Sequence, residues 1–153
     1  MSNLPPGISL RPAAAADEPA IRALIRSEGL NPLSLHWRNF LLAVDADERI
    51  VGIGAVKQHG DGSRELASIA VVPSFRGRGV AGVVINTLLA REAGPLYLTC
   101  RETMVPFYER FGFRRIGRDE MTPYFRRLTR IVGVVIRVFR AGHGPVVMKK
   151  GNE

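Results

Sequence analysis

The stretch Glu65–Leu89, ELASIAVVPSFRGRGVAGVVINTLL, carries the strongest structural signal in the chain. Residues 66–72 are apolar and rich in branched side chains, which predicts a buried strand that Pro73 ends. Residues 76–79 then read Arg-Gly-Arg-Gly. From Val80 onward the apolar residues recur at helical spacing, which predicts a helix beginning where the glycines end.

A strand, a glycine-rich loop and a helix start together predict an anion-binding site. The first turn of a helix has unpaired N–H groups and a partial positive charge, and glycine lets a ligand approach the backbone closely. We expect this loop to hold the pyrophosphate of a nucleotide-like cofactor, with Arg76 and Arg78 adding positive charge.

One interpretation of the loop is a dinucleotide site, because Gly77-x-Gly79-x-x-Gly82 matches that fingerprint. Glu102, about twenty residues further on, follows the next apolar run as the fingerprint requires. The dinucleotide fold, however, places its first glycine directly after the strand, whereas residues 73–76 intervene here. It also needs several βαβ units, and this chain offers one crossover. A loop without any ligand is a further alternative.

Length and composition predict one globular domain, since 153 residues with 46% hydrophobic and 24% charged side chains are ordinary for that class. No apolar run reaches the ~18 residues of a membrane span, and the polar, proline-rich start does not resemble a signal peptide. The single cysteine, Cys100, excludes an intramolecular disulfide. We therefore expect a reducing, cytoplasmic location and a space-filling role for Cys100.

The net charge of +8 is concentrated in the last third of the chain. Residues 1–100 have ten basic and nine acidic side chains, giving +1, while residues 101–153 have twelve and five, giving +7. Such an imbalance is typical of proteins that bind nucleic acid, anionic membranes or anionic cofactors.

The remaining elements predict a meander followed by a crossover. Before the central strand we expect a strand at 8–11, helices at 17–27 and 33–39, and strands at 40–44 and 50–58. Tight turns join the last two strands to the central one, which makes them antiparallel. The helix after Val80 must then cross over to a strand at 96–100 that lies parallel to the central strand.

The C-terminal third is expected to contain two further helices. We expect a helix at 105–110, a strand at 113–121, a helix at 123–140, a loop at 141–145 and a last strand at 146–149. In the long helix a broad apolar stripe and four arginines should lie on opposite faces. The stripe comprises Phe125, Leu128, Ile131, Val132, Val135 and Phe139, and the arginines are Arg126, Arg127, Arg130 and Arg137.

Two motifs resemble those of the GNAT superfamily of N-acetyltransferases. Arg76-x-x-Gly79-x-Ala81 is similar to its pyrophosphate-binding signature, and Tyr108-x-x-x-Gly112-Phe113 looks like its second motif. The order of predicted elements also resembles that fold. The resemblance implies an α/β fold with a mixed sheet, helices on both faces and a single domain over residues 1–153. The chain departs from the family pattern at Arg101, where members often carry an asparagine.

The resemblance implies an enzyme that moves an acetyl group from acetyl-CoA, its acyl-donor substrate, to a primary amine. The amine would belong to a small molecule or a peptide, attack would be direct, through a tetrahedral intermediate, and no metal is implied. The implied acetyl-CoA contacts are Ile69, Ala70, Val71, Val72, Arg76, Gly77, Arg78, Gly79, Val80, Ala81, Arg101 and Tyr108.

Three residues take catalytic roles by this resemblance. Glu65 is similar to a strand-borne general base, although a strand-end carboxylate opposite a cross-strand cation is an equal alternative. A main-chain N–H near Ile69, at a bulge in the central strand, would stabilise negative charge on the carbonyl oxygen. Tyr108 would donate a proton to the departing thiolate. No role is assigned to the three histidines, His36, His59 and His143.

The competing functions are an NAD(P)-binding protein and a basic nucleic-acid-binding module. The basic helix at 123–140 could follow phosphates or lie on an anionic membrane. More often such a helix packs on its own sheet or on a second subunit, which makes a homodimer possible and nucleic acid an unfavoured partner. The positive charge favours acidic or neutral acceptors over polyamines.

Overall fold

A computed structural model describes residues 3–139 and 142–151, and the side chain of residue 139 is outside the description. The helices are α1 (Glu18–Ser27), α2 (Val80–Arg91), α3 (Val105–Glu109) and α4 (Pro123–Phe139). The strands are β1 (Ser9–Pro12), β2 (Phe40–Val44), β3 (Ile50–Gln58), β4 (Arg64–Val71), β5 (Leu96–Cys100), β6 (Arg114–Arg115) and β7 (Val146–Lys150). The first residue of the loop predicted at 141–145 lies outside the described residues.

The seven strands are hydrogen-bonded in the order β1-β2-β3-β4-β5-β7-β6. β2 pairs antiparallel with β1 and β3, whereas β4 and β5 are parallel, with Glu65 opposite Tyr97. β7 pairs antiparallel with both β5 and β6. The predicted mixed α/β fold, with its meander and its parallel crossover through α2, is therefore confirmed. A dinucleotide-binding sheet would instead be mostly parallel.

The chain forms two compact units, Met1–Val56 with Leu66–Ala93 and Lys57–Glu65 with Gly94–Glu153. In the first unit, Ile21 and Ile25 of α1 join buried residues of β2 and β3 in one apolar cluster. All five residues of β2 are buried, which explains its uninterrupted apolar sequence. In the second unit the cluster consists of Tyr97, Ile116, Phe125 and Val147.

Two predicted elements are wrong. Instead of a strand at 113–121, the chain pairs at Arg114–Arg115 and then forms a 3-10 turn at Arg118–Glu120. The guanidinium of Arg126 donates to the carbonyl oxygens of Arg118 and Asp119, and this contact holds the turn. The helix predicted at 33–39 is a 3-10 turn at Trp37–Asn39, because Ser34 has a φ of 57°, which no α-helix contains.

The basic helix is confirmed as α4, but its apolar stripe is only partly covered. Phe125 is fully buried, whereas Ile131 and Val135 are 54% and 47% exposed. The four arginines on the other face are exposed as expected. Within the described residues, no helix combines the length and the apolar character needed to cross a bilayer.

Helix α2 lies very close to strand β3, and two glycines make that distance possible. A Cβ atom on Gly52 would come within 2.8 Å of Val80 Cγ1. On Gly54 it would come within 2.6 Å of Val84 Cγ1 and 2.8 Å of Ile69 Cδ1. Protein interiors are close-packed, so neither position has room for a methyl group.

We expect Gly54→Ala to lower the free energy of unfolding by about 1–3 kcal/mol, the usual effect of overpacking a filled core. The added methyl group must displace α2 or rotate the side chains of Val84 and Ile69. Chemical denaturation would measure the change. Gly60→Ala is the matched control, because a Cβ there meets no atom within 4 Å. Equal stabilities of the two variants would contradict the close contact.

Candidate active site

The glycine loop leads from the end of β4 to the start of α2. After Val71 the chain makes a 3-10 turn at Pro73–Phe75. Gly77 and Gly79 then have φ angles of 75° and 82°, in the left-handed region that favours glycine. A Cβ atom at either position would meet nothing within 4 Å, so the backbone of the loop faces open space.

The first turn of α2 is open to a ligand. Gly79 is the N-cap residue and supplies no side-chain hydrogen bond, and the amide of Val83 makes the first helical bond, to the carbonyl of Gly79. The N–H groups of residues 80–82 are therefore not capped by a side chain from that position. A surface groove of about 650 Å³ runs beside this turn and is lined by Gly79, Gly82, Val83, Asn86 and Thr87, among others.

The two arginines of the loop have different surroundings. Arg76 donates from Nε to the carbonyl oxygen of Val71 at 3.1 Å and forms an ion pair with Glu28. Arg78 lies over the ring of Phe75, 5.1 Å from its centre, and no carboxylate among the described residues pairs with it. Arg76 therefore supports the shape of the loop, and Arg78 is the available charge.

Strand β4 contains a residue whose backbone conformation the sequence did not reveal. Ser68 has a φ of 58° in the middle of the strand, and a left-handed residue interrupts the pleat in the way a β-bulge does. We predicted the bulge near Ile69, one residue later. The side chain of Ile69 packs toward Gly54. Serine gives no sequence signal for a positive φ.

Tyr108 lies on the short helix α3, where its ring contacts Phe107 and Phe113 edge-on. Burial, with a smaller effect from the nearby Cys100, raises the pKa of Tyr108 to about 12. The hydroxyl therefore keeps its proton throughout the physiological pH range. It can donate a hydrogen bond, although full proton transfer is less favourable than from an exposed tyrosine.

The residues around Cys100 have structural partners. Its Sγ lies 3.8 Å from Sδ of Met148, and burial, followed by the charge of Glu102, raises the pKa of the thiol. Glu102, the residue that the dinucleotide interpretation would use, is paired with Arg115. Arg101 is exposed, and its carbonyl accepts a hydrogen bond from the amide of Met104.

Glu65 is buried and paired with a histidine. Its Oε2 lies 2.7 Å from Nε2 of His59, both side chains are 11% exposed, and the ring of Tyr124 stacks on the imidazole at 3.5 Å between centres. As in the alternative interpretation, Glu65 lies at the start of its strand beside a basic side chain, but the carboxylate is buried. The amide of His59 donates to the carbonyl of Ser63 across the tight turn at residues 60–62, which brings His59 close to the start of β4.

Asp61 connects this turn to the start of α4. Its Oδ1 accepts hydrogen bonds from the amide and the hydroxyl of Ser63, at 3.0 and 2.6 Å, and its Oδ2 accepts the amide of Tyr124 at 2.9 Å. Burial opposes ionisation, yet these hydrogen bonds prevail and hold the pKa of Asp61 well below its usual value. Among residues 3–139 and 142–151, no three His, Cys, Asp or Glu side chains come together to hold a metal ion.

The predicted residues fall into three groups. Ile69 to Val72 and Arg76 to Ala81 are contiguous along β4, the loop and the first turn of α2. Glu65 is joined to His59 and Tyr124. Tyr108 sits among the aromatic rings of α3 and Phe113, near Cys100.

Comparisons with known proteins bear on the family and the fold of the chain. The model of the Acetyltransferase (GNAT) domain family matches residues 36–115. A mycothiol acetyltransferase of Acidothermus cellulolyticus is 31% identical over 171 residues, which cover 93% of this chain and 52% of that protein. One from Pseudarthrobacter chlorophenolicus is 32% identical, covering 77% of this chain and 46% of that protein. The chain thus spans about half the length of these curated relatives.

Solved structures share the fold at low sequence identity. N-acetylglutamate synthase from Neisseria gonorrhoeae, complexed with coenzyme A and L-arginine, superposes with a TM-score of 0.72 at 20% identity, covering 94% of this chain and 33% of that one. A Mycobacterium tuberculosis protein in complex with CoA gives a TM-score of 0.70 at 21% identity, covering 95% of this chain and 99% of that one. These likenesses show the fold.

The hydrogen bonds of Asp61 predict a pH-dependent stability. A carboxyl whose pKa is lowered in the folded state stabilises the fold above its unfolded pKa, near 3.9, and that stabilisation is lost as the pH falls. We expect Asp61→Asn to lower the free energy of unfolding by about 1 kcal/mol at pH 7, a value typical of a lost helix cap at an exposed position. The difference from the unsubstituted protein should shrink as the pH falls from 5 to 2.

Denaturation at several pH values would measure this difference. Asp47→Asn is the control, because that carboxylate is 74% exposed and lies 3.9 Å from its arginine partner. A pH-independent gap between the Asp61 variant and the unsubstituted protein would contradict the assignment.

Proposed function

The chain belongs to the GNAT family of acetyltransferases, and on this premise we propose that it moves an acetyl group from acetyl-CoA to the primary amine of an acceptor. The observation that carries the proposal is the open backbone of the loop at Gly77 and Gly79, followed by the uncapped first turn of α2. Backbone N–H groups at such a helix start suit a diphosphate. The guanidinium of Arg78, which no carboxylate among the described residues pairs, adds a charge of the right sign.

Each part of the acetyl-CoA molecule would have its own contacts. The amides of residues 77–81 would hold the pyrophosphate, with Arg78 beside it. Residues 69–72, which follow Ser68, would bind the pantetheine arm. Arg76 would act indirectly, because its contacts with Val71 and Glu28 fix the path of the loop. Acetyl-CoA supplies the activated acyl carbon.

The main chain near Ser68 would stabilise the negative charge that develops on the carbonyl oxygen. A left-handed residue turns an N–H out of the regular ladder of hydrogen bonds, and one well-aimed donor contributes roughly 3–4 kcal/mol to the transition state. Tyr108 would donate a hydrogen bond to the departing sulfur, since its hydroxyl keeps its proton at neutral pH.

The acceptor amine must lose a proton before it attacks. An amine with a pKa near 10.4 is mostly protonated at pH 7, and reaching the neutral form costs roughly 4–5 kcal/mol. We assign this step to the group that contains Glu65, at the start of β4. Its burial beside His59 sets it apart from the exposed carboxylates of the surface.

The acceptor is proposed as a small-molecule or peptide amine. The two relatives described above are named mycothiol acetyltransferases, so the acceptor of those enzymes belongs in a screen of amines for release of free thiol from acetyl-CoA. The basic character of residues 101–153 favours acidic or neutral acceptors in the same screen.

We expect Arg78→Ala to weaken coenzyme A binding about 5–10-fold, which corresponds to roughly 1–1.4 kcal/mol for one partly exposed charge near a phosphate. Titration calorimetry would measure the affinity. Arg91→Ala, which removes an exposed arginine from the other end of α2, is the control and should bind normally.

A second titration tests the nature of the ligand. The unsubstituted protein should bind coenzyme A and give no signal with NADPH. The reverse result would favour the dinucleotide interpretation and reject the proposed function.

We expect Tyr108→Phe to lower kcat about 10–100-fold with little change in KM, because the hydroxyl acts on the departing sulfur rather than on binding. With a pKa of about 12, Tyr108 should produce no change in rate below pH 10. Thiol release followed over time would measure both constants. Tyr97→Phe removes another buried hydroxyl and is the control. Full turnover by the Tyr108 variant would remove this residue from the chemistry.

A further inference from the structure

His59, the partner of Glu65, has a second ring nitrogen for which the catalytic assignment above gives no role. A carboxylate can only accept a hydrogen bond, so the contact of 2.7 Å requires the proton of the neutral imidazole to lie on Nε2. The other ring nitrogen, Nδ1, then carries a lone pair. In the described part of the chain, Nδ1 has no hydrogen-bond partner.

The carboxylate of Glu65 is the less suitable of the two bases. Its Oε2 is occupied by His59, and the buried ammonium of Lys57, which is 7% exposed, acts on the same carboxylate by its charge. An imidazole, which titrates near pH 6.5 in water, is closer to neutral pH than a carboxyl near 4.3.

We propose that Nδ1 of His59 is the atom that takes the proton from the acceptor amine, and that Glu65 is a positioning residue that acts through it. This inference rests on the proposed acetyl transfer. The ammonium of the acceptor gives one proton to Nδ1, and the neutral amine keeps the electron pair with which it attacks. The ring becomes an imidazolium held by the carboxylate, and it then releases the proton to water.

The surroundings of the ring fit this role. Tyr124 covers one face of the imidazole at 3.5 Å, and Phe125 meets it edge-on at 5.9 Å, so the ring is fixed in one plane. Asp61 holds Tyr124 in place through the amide of that residue. The titratable groups around His59 are Glu65 on β4, Lys57 on β3, Asp61 in the turn and Tyr124 on α4. A histidine oriented by a carboxylate is an established general base.

Steady-state kinetics with acetyl-CoA and the most active amine of the screen tests the proposal. We expect His59→Gln to lower kcat at pH 7 about 100-fold or more and to abolish the loss of activity on the acid side of the pH–rate profile. Glu65→Gln should retain more activity, because the imidazole remains.

Two controls separate this role from a structural one. His143→Gln removes an exposed histidine and should leave the rate and the pH profile unchanged. Tyr124→Ala removes the stacked ring and should lower kcat. Coenzyme A affinity, measured for every variant, reports whether the fold is intact. A His59→Gln enzyme that retains normal turnover, or that keeps the acid-side loss, would overturn the proposal.

A spectroscopic measurement decides the question without an acceptor. Long-range proton–nitrogen NMR of ¹⁵N-histidine-labelled protein, assigned by comparison with His59→Gln, shows which ring nitrogen carries the proton. We expect the Nε2–H form in the unsubstituted protein and a mixture in Glu65→Gln. A proton on Nδ1 would overturn the proposal. Failure of acetyl transfer itself is distinguishable, because the unsubstituted protein would then release no thiol with any amine while the NMR result stood.

Discussion

The absence of side chains at Gly52 and Gly54 brings α2 against β3, and the candidate donor site depends on that contact. Because Val80 and Val84 occupy the space that a Cβ would need, the axis of α2 is set by the surface of the strand. The position of the axis in turn fixes the first turn of the helix, where the amides of residues 80–82 point toward the loop. Anion binding by backbone groups needs such fixed directions, because a single misaligned N–H contributes little.

The second unit reaches a comparable rigidity through hydrogen bonds and stacked rings. Asp61 joins a tight turn to the first residues of α4, and Tyr124 carries that constraint to the imidazole of His59. Glu65 then completes the arrangement from β4. A buried carboxylate without partners would be costly, so each member of this group is stabilised by the next. Such mutual support keeps the imidazole and the carboxylate in one arrangement.

The sequence predicted the parts of this protein whose signals are local. Apolar runs and glycine positions predicted β2, β3, β4 and α2. Two short motifs indicated the GNAT family, which the match to its domain model confirms. The sequence-based predictions fail where contacts between residues far apart in the chain determine the local structure. The strand predicted at 113–121 becomes a turn because Arg126, on α4, binds its carbonyl oxygens. The stripe on α4 stays partly exposed although its periodicity is regular.

The site residues that sequence reasoning missed have the same explanation. Nothing about a lone histidine beside a turn reveals that a carboxylate six residues later and a tyrosine on another element will enclose it. The left-handed conformation of Ser68 could not be predicted either, because serine rarely adopts it and no sequence pattern marks it. The resemblance nominated Glu65 and Tyr108 as candidate residues, whereas only the structure shows that Glu65 is paired with His59.

Ser68 also limits how the central strand can change in length. Alternate residues of a strand point to opposite faces, and one extra residue at a bulge resets that alternation. Losing or gaining a residue between Glu65 and Val71 would exchange the two faces of the strand. The packing of Ile69 beneath α2 and the pairing of Glu65 with His59 could not then both survive. We therefore expect the protein to tolerate insertions and deletions in the turns on either side of this segment and not within it.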